Sequence, residues 1–194
     1  MAAELNAKLA TASIPVAGRG IFYVSFKENP TLPTNATADM STLTDFESLG
    51  ELSDGGFSES RSVSANDHKG AHGTIVMTTI DSDVSKYKAS FLEVSRAAVA
   101  KLRYGDGSVK ETAGDISQIN QEPYKGTPHA FVIDEEESDG HKRRTIIKRG
   151  VVSAFDDVPH KRGELMAYGM DITVNDTDDG SPAVVTYRAK SVSA

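Results

Sequence analysis

FVIDEEESDGHKRRTII, residues 131–147, reads as two apolar strands that meet in a polar tip of opposite charges, and it makes an antiparallel sheet the frame of this chain. Asp139-Gly140 between strand-like runs predicts a two-residue type I′ turn, because both central positions of that turn need positive φ. Counting outward, Ser138 faces His141, Glu137 faces Lys142, Glu136 faces Arg143, Glu135 faces Arg144 and Ile133 faces Ile146. Three opposite-charge pairs then cap an apolar stem, each contributing about 0.2–1 kcal/mol where exposed. The expected hairpin is an arm that projects into water or toward a partner, with Glu136, Arg143 and Arg144 as candidate contacts.

Strand patterns continue on both sides. Downstream, LMAYGMDITV (165–174) sets Met166, Tyr168, Met170, Ile172 and Val174 on one face, and after the turn NDTDDGSP the run AVVTYRAKSV (183–192) returns as the last strand. Upstream, Phe22, Val24 and Phe26 alternate with Tyr23 and Ser25. In FSESRSVS (57–64), Phe57, Glu59, Arg61 and Val63 share one face and serines fill the other. TIVMTTI (74–80) and KYKASFL (86–92) read as neighbouring strands joined through DSDV. The polar, proline-bearing stretch at 27–46 and the stretch ANDHKGAHG, within 64–73, read as long loops.

One segment is helical by pattern. In EVSRAAVAKL (93–102), Val94, Ala98 and Leu102 recur at i, i+4 and i+8, and Gly105 is placed to stop the helix. Residues 1–20 carry no packing period and are expected to form an N-terminal arm, with Ile14 and Val16 as anchors on a neighbour, ahead of a single domain at 21–194. The predicted fold is mainly β, an antiparallel sandwich or barrel of about eight strands with one short flanking helix.

Composition narrows the function. Cysteine is absent, so disulfides, thiolate nucleophiles and cysteine zinc sites are excluded. Twenty-one basic against 28 acidic residues give a net charge of -7, which disfavours wrapping DNA or docking on anionic lipid while allowing a path through which DNA slides. No long apolar run and no secretory leader pattern occur, so the expectation is a chain made and kept in a cytoplasm. Only 38% of residues are apolar and tryptophan is absent, a thin core that suggests surface buried against partners.

Catalytic and metal chemistry find little support. His68 and His72 lie four apart, but Gly70 and Gly73 point to a loop rather than a helix presenting both imidazoles. NDTDDG resembles a calcium loop only superficially, since Thr177 and Thr186 stand where such a loop needs acidic ligands. No nucleophile motif, phosphate loop or dinucleotide fingerprint occurs, so the expectation is no enzyme, no cofactor and no metal.

From residue 46 onward the order of segments resembles a known family. FESLGELSDGGFSES, then a polar stretch to KGAHG, a strand pair, and FLEVSRAAVAKLRYG resemble the tail tube proteins of siphophages, notably those infecting actinobacteria. The shared features are Leu49, Gly50, Asp54, Gly55, Gly56, Tyr104 and Gly105, and RRTIIKRGVVSAFDDV with LMAYGMDITV extends the resemblance to residue 190. It implies a β-sandwich whose copies form six-membered rings, stacked into a tube, with the arm and long loops bridging neighbours. Asp54, Gly55 and Gly56 then join the candidate assembly residues. The implied partners are the tape measure protein, the tail terminator and DNA passing through the lumen; the implied location is the virion tail, assembled in the host cytoplasm. The runner-up is a β-sandwich decoration or binding module on a virion or cell surface, and a third reading is the ring protein of a contractile secretion machine.

Overall fold

The computed structural model describes residues 15–16, 22–137 and 140–190. Eleven strands occur among them: β1 (Pro15–Val16), β2 (Phe22–Ser25), β3 (Glu47–Ser48), β4 (Leu52–Lys69), β5 (Ile75–Phe91), β6 (Val109–Thr112), β7 (Asp115–Ile119), β8 (His129–Glu137), β9 (His141–Phe155), β10 (Tyr168–Val174) and β11 (Val184–Lys190). One α-helix, α1 (Ala97–Tyr104), joins them. The chain is thus mainly β with antiparallel pairing and one short helix.

Nine strands form one sheet in the order β3-β2-β8-β9-β10-β5-β4, with β1 added to the edge of β8 and β11 to the edge of β9. Among the described residues β10 is the one strand that pairs the β4–β5 hairpin with the rest of the sheet. The sheet curls on itself: Phe22 of β2 meets Phe57 of β4 and Phe91 of β5 edge to face, at centroid distances of 5.3 and 5.6 Å, although three strands separate β2 from β5. Rows such as Tyr87–Ile172–Val152 and Ala89–Met170 line the concave side, and Ala98, Val99 and Leu102 of α1 close it.

β2, β8 and the first half of β9 are buried on both faces. Phe22, Val24, Phe131, Ile133 and Ile147 point into the main core, while Tyr23, Ala130, Val132 and Ile146 meet Met40, Phe46, Leu32 and Leu43 of the 27–46 loop. That loop is therefore a cover. The continuous apolar run of β8 follows from this double burial.

Four expectations change. The helix begins at Ala97 rather than Glu93, because the Glu93 carboxylate accepts the Glu51 amide at 3.1 Å and binds Arg96, which is extended (φ -73°, ψ 127°). The loop placed at 64–73 shrinks to a tight turn, since β4 runs unbroken to Lys69 and β5 starts at Ile75, and His68 is a strand residue. DSDV is no turn but lies within β5. The β8–β9 register is Asp134↔Arg144, Glu135↔Arg143, Glu136↔Lys142 and Ile133↔Thr145, one residue off the counted one. Three residues, not two, separate Glu137 from His141. Gly140 at φ +79° donates to the Glu137 carbonyl at 2.9 Å, as a three-residue loop ending in a left-handed glycine requires.

A further hairpin, β6–β7, escaped the sequence reading; it turns on Ala113 and Gly114, both at positive φ.

Candidate assembly surfaces

The β4–β5 ribbon leaves the body beyond the row Glu59–Tyr87. There the buried Tyr87 hydroxyl donates to Glu59 at 2.9 Å, and burial together with Glu59 pushes its pKa up. Arg61 and Asp83 form a forked ion pair on the same face one step out. From Ser60 to Lys69 the strand is exposed throughout, a reach of about 33 Å at 3.3 Å per residue. Val63, Ile75, Val76, Thr78, Thr79 and Ile80 are β-branched and hold the extended form without a core beneath them. At the tip, Gly73 takes φ +78° and Gly70 donates to the Thr74 carbonyl at 2.8 Å.

Both faces of the ribbon mix polar and apolar residues. Paired residues share a face, so Val63, Ala65 and Ile80 continue the side that carries Tyr87, Arg61 and Asp83, while Ser58, Ser60, Ser62 and Ser64 share the other with Lys86, Lys88, Val84 and Met77. Val63, Ile80 and Val76 are 52%, 62% and 73% exposed. A monomer carrying such apolar surface on a long unpaired strand is prone to association.

Backbone edges lie open on the same half of the sheet. Among the described residues nothing pairs with the outer edge of β4, and on β9 the partner β8 ends opposite Gly150, which leaves the stretch from Val151 to Phe155 paired only with β10. Asp54, Gly55 and Gly56 sit at the root of this edge. Leu52 faces Phe91 and Phe57 faces Ala89, so residues 53–56 form a bulge opposite Ser90 alone, with Gly56 at φ +63°.

The remaining sequence-predicted residues separate. Ile14 lies outside the described residues; Val16 pairs its backbone with Glu136 of its own chain. The 131–147 hairpin does not project, since β1 and β11 flank it and the 27–46 loop lies across it. Arg144 is buried, gripping Asp134 with bonds of 2.6 and 2.7 Å and donating to the Asn35 carbonyl at 3.1 Å. Arg143 reaches Glu135 at 3.7 Å, and burial holds the Glu135 carboxyl above the usual range. Glu137 is buried and takes Arg188 of β11 at 2.8 Å, rather than Lys142.

Beside this hairpin, a groove of about 650 Å³ opens between residues 36–46 and the Asp134–Glu136 and Lys142–Arg144 strands. Its charges are mixed, with Arg144 paired to Asp134 and Arg143 to Glu135. Among the described residues no group of histidines and carboxylates has metal-binding geometry, and no helix is long and apolar enough to cross a membrane. Sequence reading found strands at 57–64, 74–80 and 86–92 but not that they form one ribbon, because the polar residues at 65–69 and 81–84 imitate loops.

A family profile described as phage tail tube protein matches residues 7–192, nearly the whole chain. No curated protein matches it.

Proposed function

The chain belongs to the phage tail tube protein family, a structural and non-enzymatic component of the virion tail, and from that premise we propose that its copies close into six-membered rings through their open sheet edges and stack through the β4–β5 ribbon. The stacked rings make a tube whose lumen holds the tape measure protein during assembly, ends at the tail terminator, and conducts DNA at ejection. The resemblance of residues 46–190 supports a siphophage tail, assembled in the host cytoplasm.

The exposed ribbon carries this reading. About 33 Å of two-stranded sheet, with Val63, Ile75, Val76, Met77 and Ile80 exposed, has no covering element among the described residues, and two-stranded ribbons gain little stability alone. A second copy supplies what it lacks. The bulge at Asp54–Gly56 lies at its root, and Pro15 pairs with Glu137 at the far end of β8.

The test is assembly of the purified full chain, followed by light scattering over a concentration series and by negative-stain imaging. Rings or tubes that increase with concentration are expected. Compact monomers at every concentration, with and without a tail-tip nucleus, overturn the reading.

A further inference from the structure

We propose that residues 121–127 form a strap that covers the Val151–Phe155 edge of β9 in the free subunit and gives way when a neighbouring copy pairs with that edge, so that subunits wait for a growing end before they assemble. The inference rests on the ring reading above and adds a control of its timing.

The place of the strap follows from the β8–β9 register. His129 stands opposite Gly150, where the ladder ends. Counting five residues back from His129 and five forward from Gly150 sets Tyr124 opposite Phe155, and the two rings meet edge to face with centroids 5.0 Å apart. Gly126 passes close to Val151, whose Cγ1 lies 3.5 Å from where a Cβ would stand. The segment therefore follows the open edge of β9 along the path that β8 would take if it continued.

It does not become strand. Among the described residues, none of 121–127 enters a strand pair or a backbone hydrogen bond of a loop or turn. Local chemistry interrupts the ladder: Pro123 and Pro128 have no N–H, and Gly126 at φ +63° turns the backbone out of the extended form. Support from the body is thin as well. Cavities of about 380 and 320 Å³ flank the segment, the first lined by Arg103, Tyr104 and Phe155, the second by Lys101, Ser108 and His129. Every residue from Gln121 to Thr127 except Gly126 is exposed. The contact of Tyr124 with Phe155 is the one aromatic hold on it among the described residues.

A segment placed this way blunts a strand edge against premature pairing, yet no ladder bond has to break when it leaves. An arriving strand offers what the strap lacks, backbone hydrogen bonds to the free groups of Val151–Phe155. Covered and paired edges are two states of one surface, and a neighbour shifts the balance because it binds the uncovered state alone. Two free subunits that meet must displace the strap for a single contact. A growing end offers stacking in addition, so addition to an end outruns new starts.

Tyr124→Ala removes the hold at an exposed residue. The expected result is an unchanged melting temperature of the free subunit and a lag before tube formation, followed by light scattering, that is shortened by about 2- to 10-fold, the factor an aromatic pair of this kind supplies. A lag equal to the parent's, or longer, overturns the proposal. The chain lacks cysteine, so Tyr124→Cys and Phe155→Cys together make a reversible lock. Oxidised subunits are expected to stay unassembled until reductant is added. Tubes that form equally well from oxidised subunits overturn the proposal, and so do two thiols that fail to pair in the free subunit, since the strap then does not lie on the edge. If the reduced double variant does not assemble, the lag of Tyr124→Ala decides alone. A parent chain that forms no tubes fails the ring reading itself, before either variant is compared with it.

Discussion

Arg144 of β9 and Asp134 of β8 stand directly opposite each other, and the guanidinium holds both carboxylate oxygens while its own side chain is only 3% exposed. Forked pairing satisfies a charge that burial would otherwise penalise. Arg143, one residue away, is half-exposed and reaches Glu135 only at 3.7 Å.

The two arginines therefore respond differently to replacement. Arg144→Ala strips Asp134 and the Asn35 carbonyl of their partner, and an expected loss of about 2–3 kcal/mol appears as a lower urea midpoint. Arg143→Ala stays within about 1 kcal/mol of the parent. Equal effects of the two changes would contradict the described register.

Gly50 makes a second test. It sits at φ +77° against the Glu93 carboxylate, and a Cβ there would overlap that group. Gly50→Ala is expected to cost about 1–3 kcal/mol by thermal or urea unfolding. Gly107, with open space around it and no positive φ, is the control, and Gly107→Ala stays within about 0.5 kcal/mol.

Ile80→Asp separates folding from assembly. The residue is exposed and far from both cores, so monomer stability changes by less than about 0.5 kcal/mol. The same change puts a charge among the exposed apolar residues Val63, Val76 and Ile80 of the ribbon, and the assembled fraction by sedimentation falls sharply. A normal yield of tubes would remove the ribbon from the stacking contact.

Alkaline pH should weaken the fold through Tyr168. Burial and the hydrogen bond with Tyr104 raise its hydroxyl from 10.0 to about 12, so the folded state keeps a proton that the unfolded chain gives up. Its stabilising contribution is complete below about pH 10 and declines as pH rises toward 12. Urea midpoints measured across this range fall with pH, and Tyr168→Phe makes the fall shallower.

Much of the fold was legible in period-two alternation. Phe22 and Val24, Phe57 through Val63, and Tyr168, Met170 and Ile172 take the faces their spacing predicts, because each strand has at least one side defined by a core. Where no core lies beneath, the signal fails: the outer ribbon mixes Asn66, Asp67 and His68 with apolar residues and imitates a loop. The hairpin at 131–147 failed differently. Asp-Gly fits both two- and three-residue turns, and the observed register goes with Arg144 holding Asp134 across the hairpin and with Arg188, 51 residues further on, holding Glu137. Asp54, Gly55 and Gly56 read in the sequence as a turn signal, and the structure makes them a bulge within β4. The bond from the Glu51 amide to Glu93 was not legible, because the spacing of two distant residues has no local period.

β10 gives the molecule a history as well as a shape. Among the described residues it is the one strand that pairs the β4–β5 hairpin with the sheet half built on β8 and β9, and it occupies residues 168–174, more than 75 residues after β5. During synthesis the two halves emerge first, each with an edge awaiting the same strand. Native closure then depends on pairing between residues widely separated in sequence, which is slow and leaves strand edges open in the interval. Until Tyr168–Val174 has been made, no strand pairs the two half-sheets, so the synthesis of this one segment sets when the sheet can close.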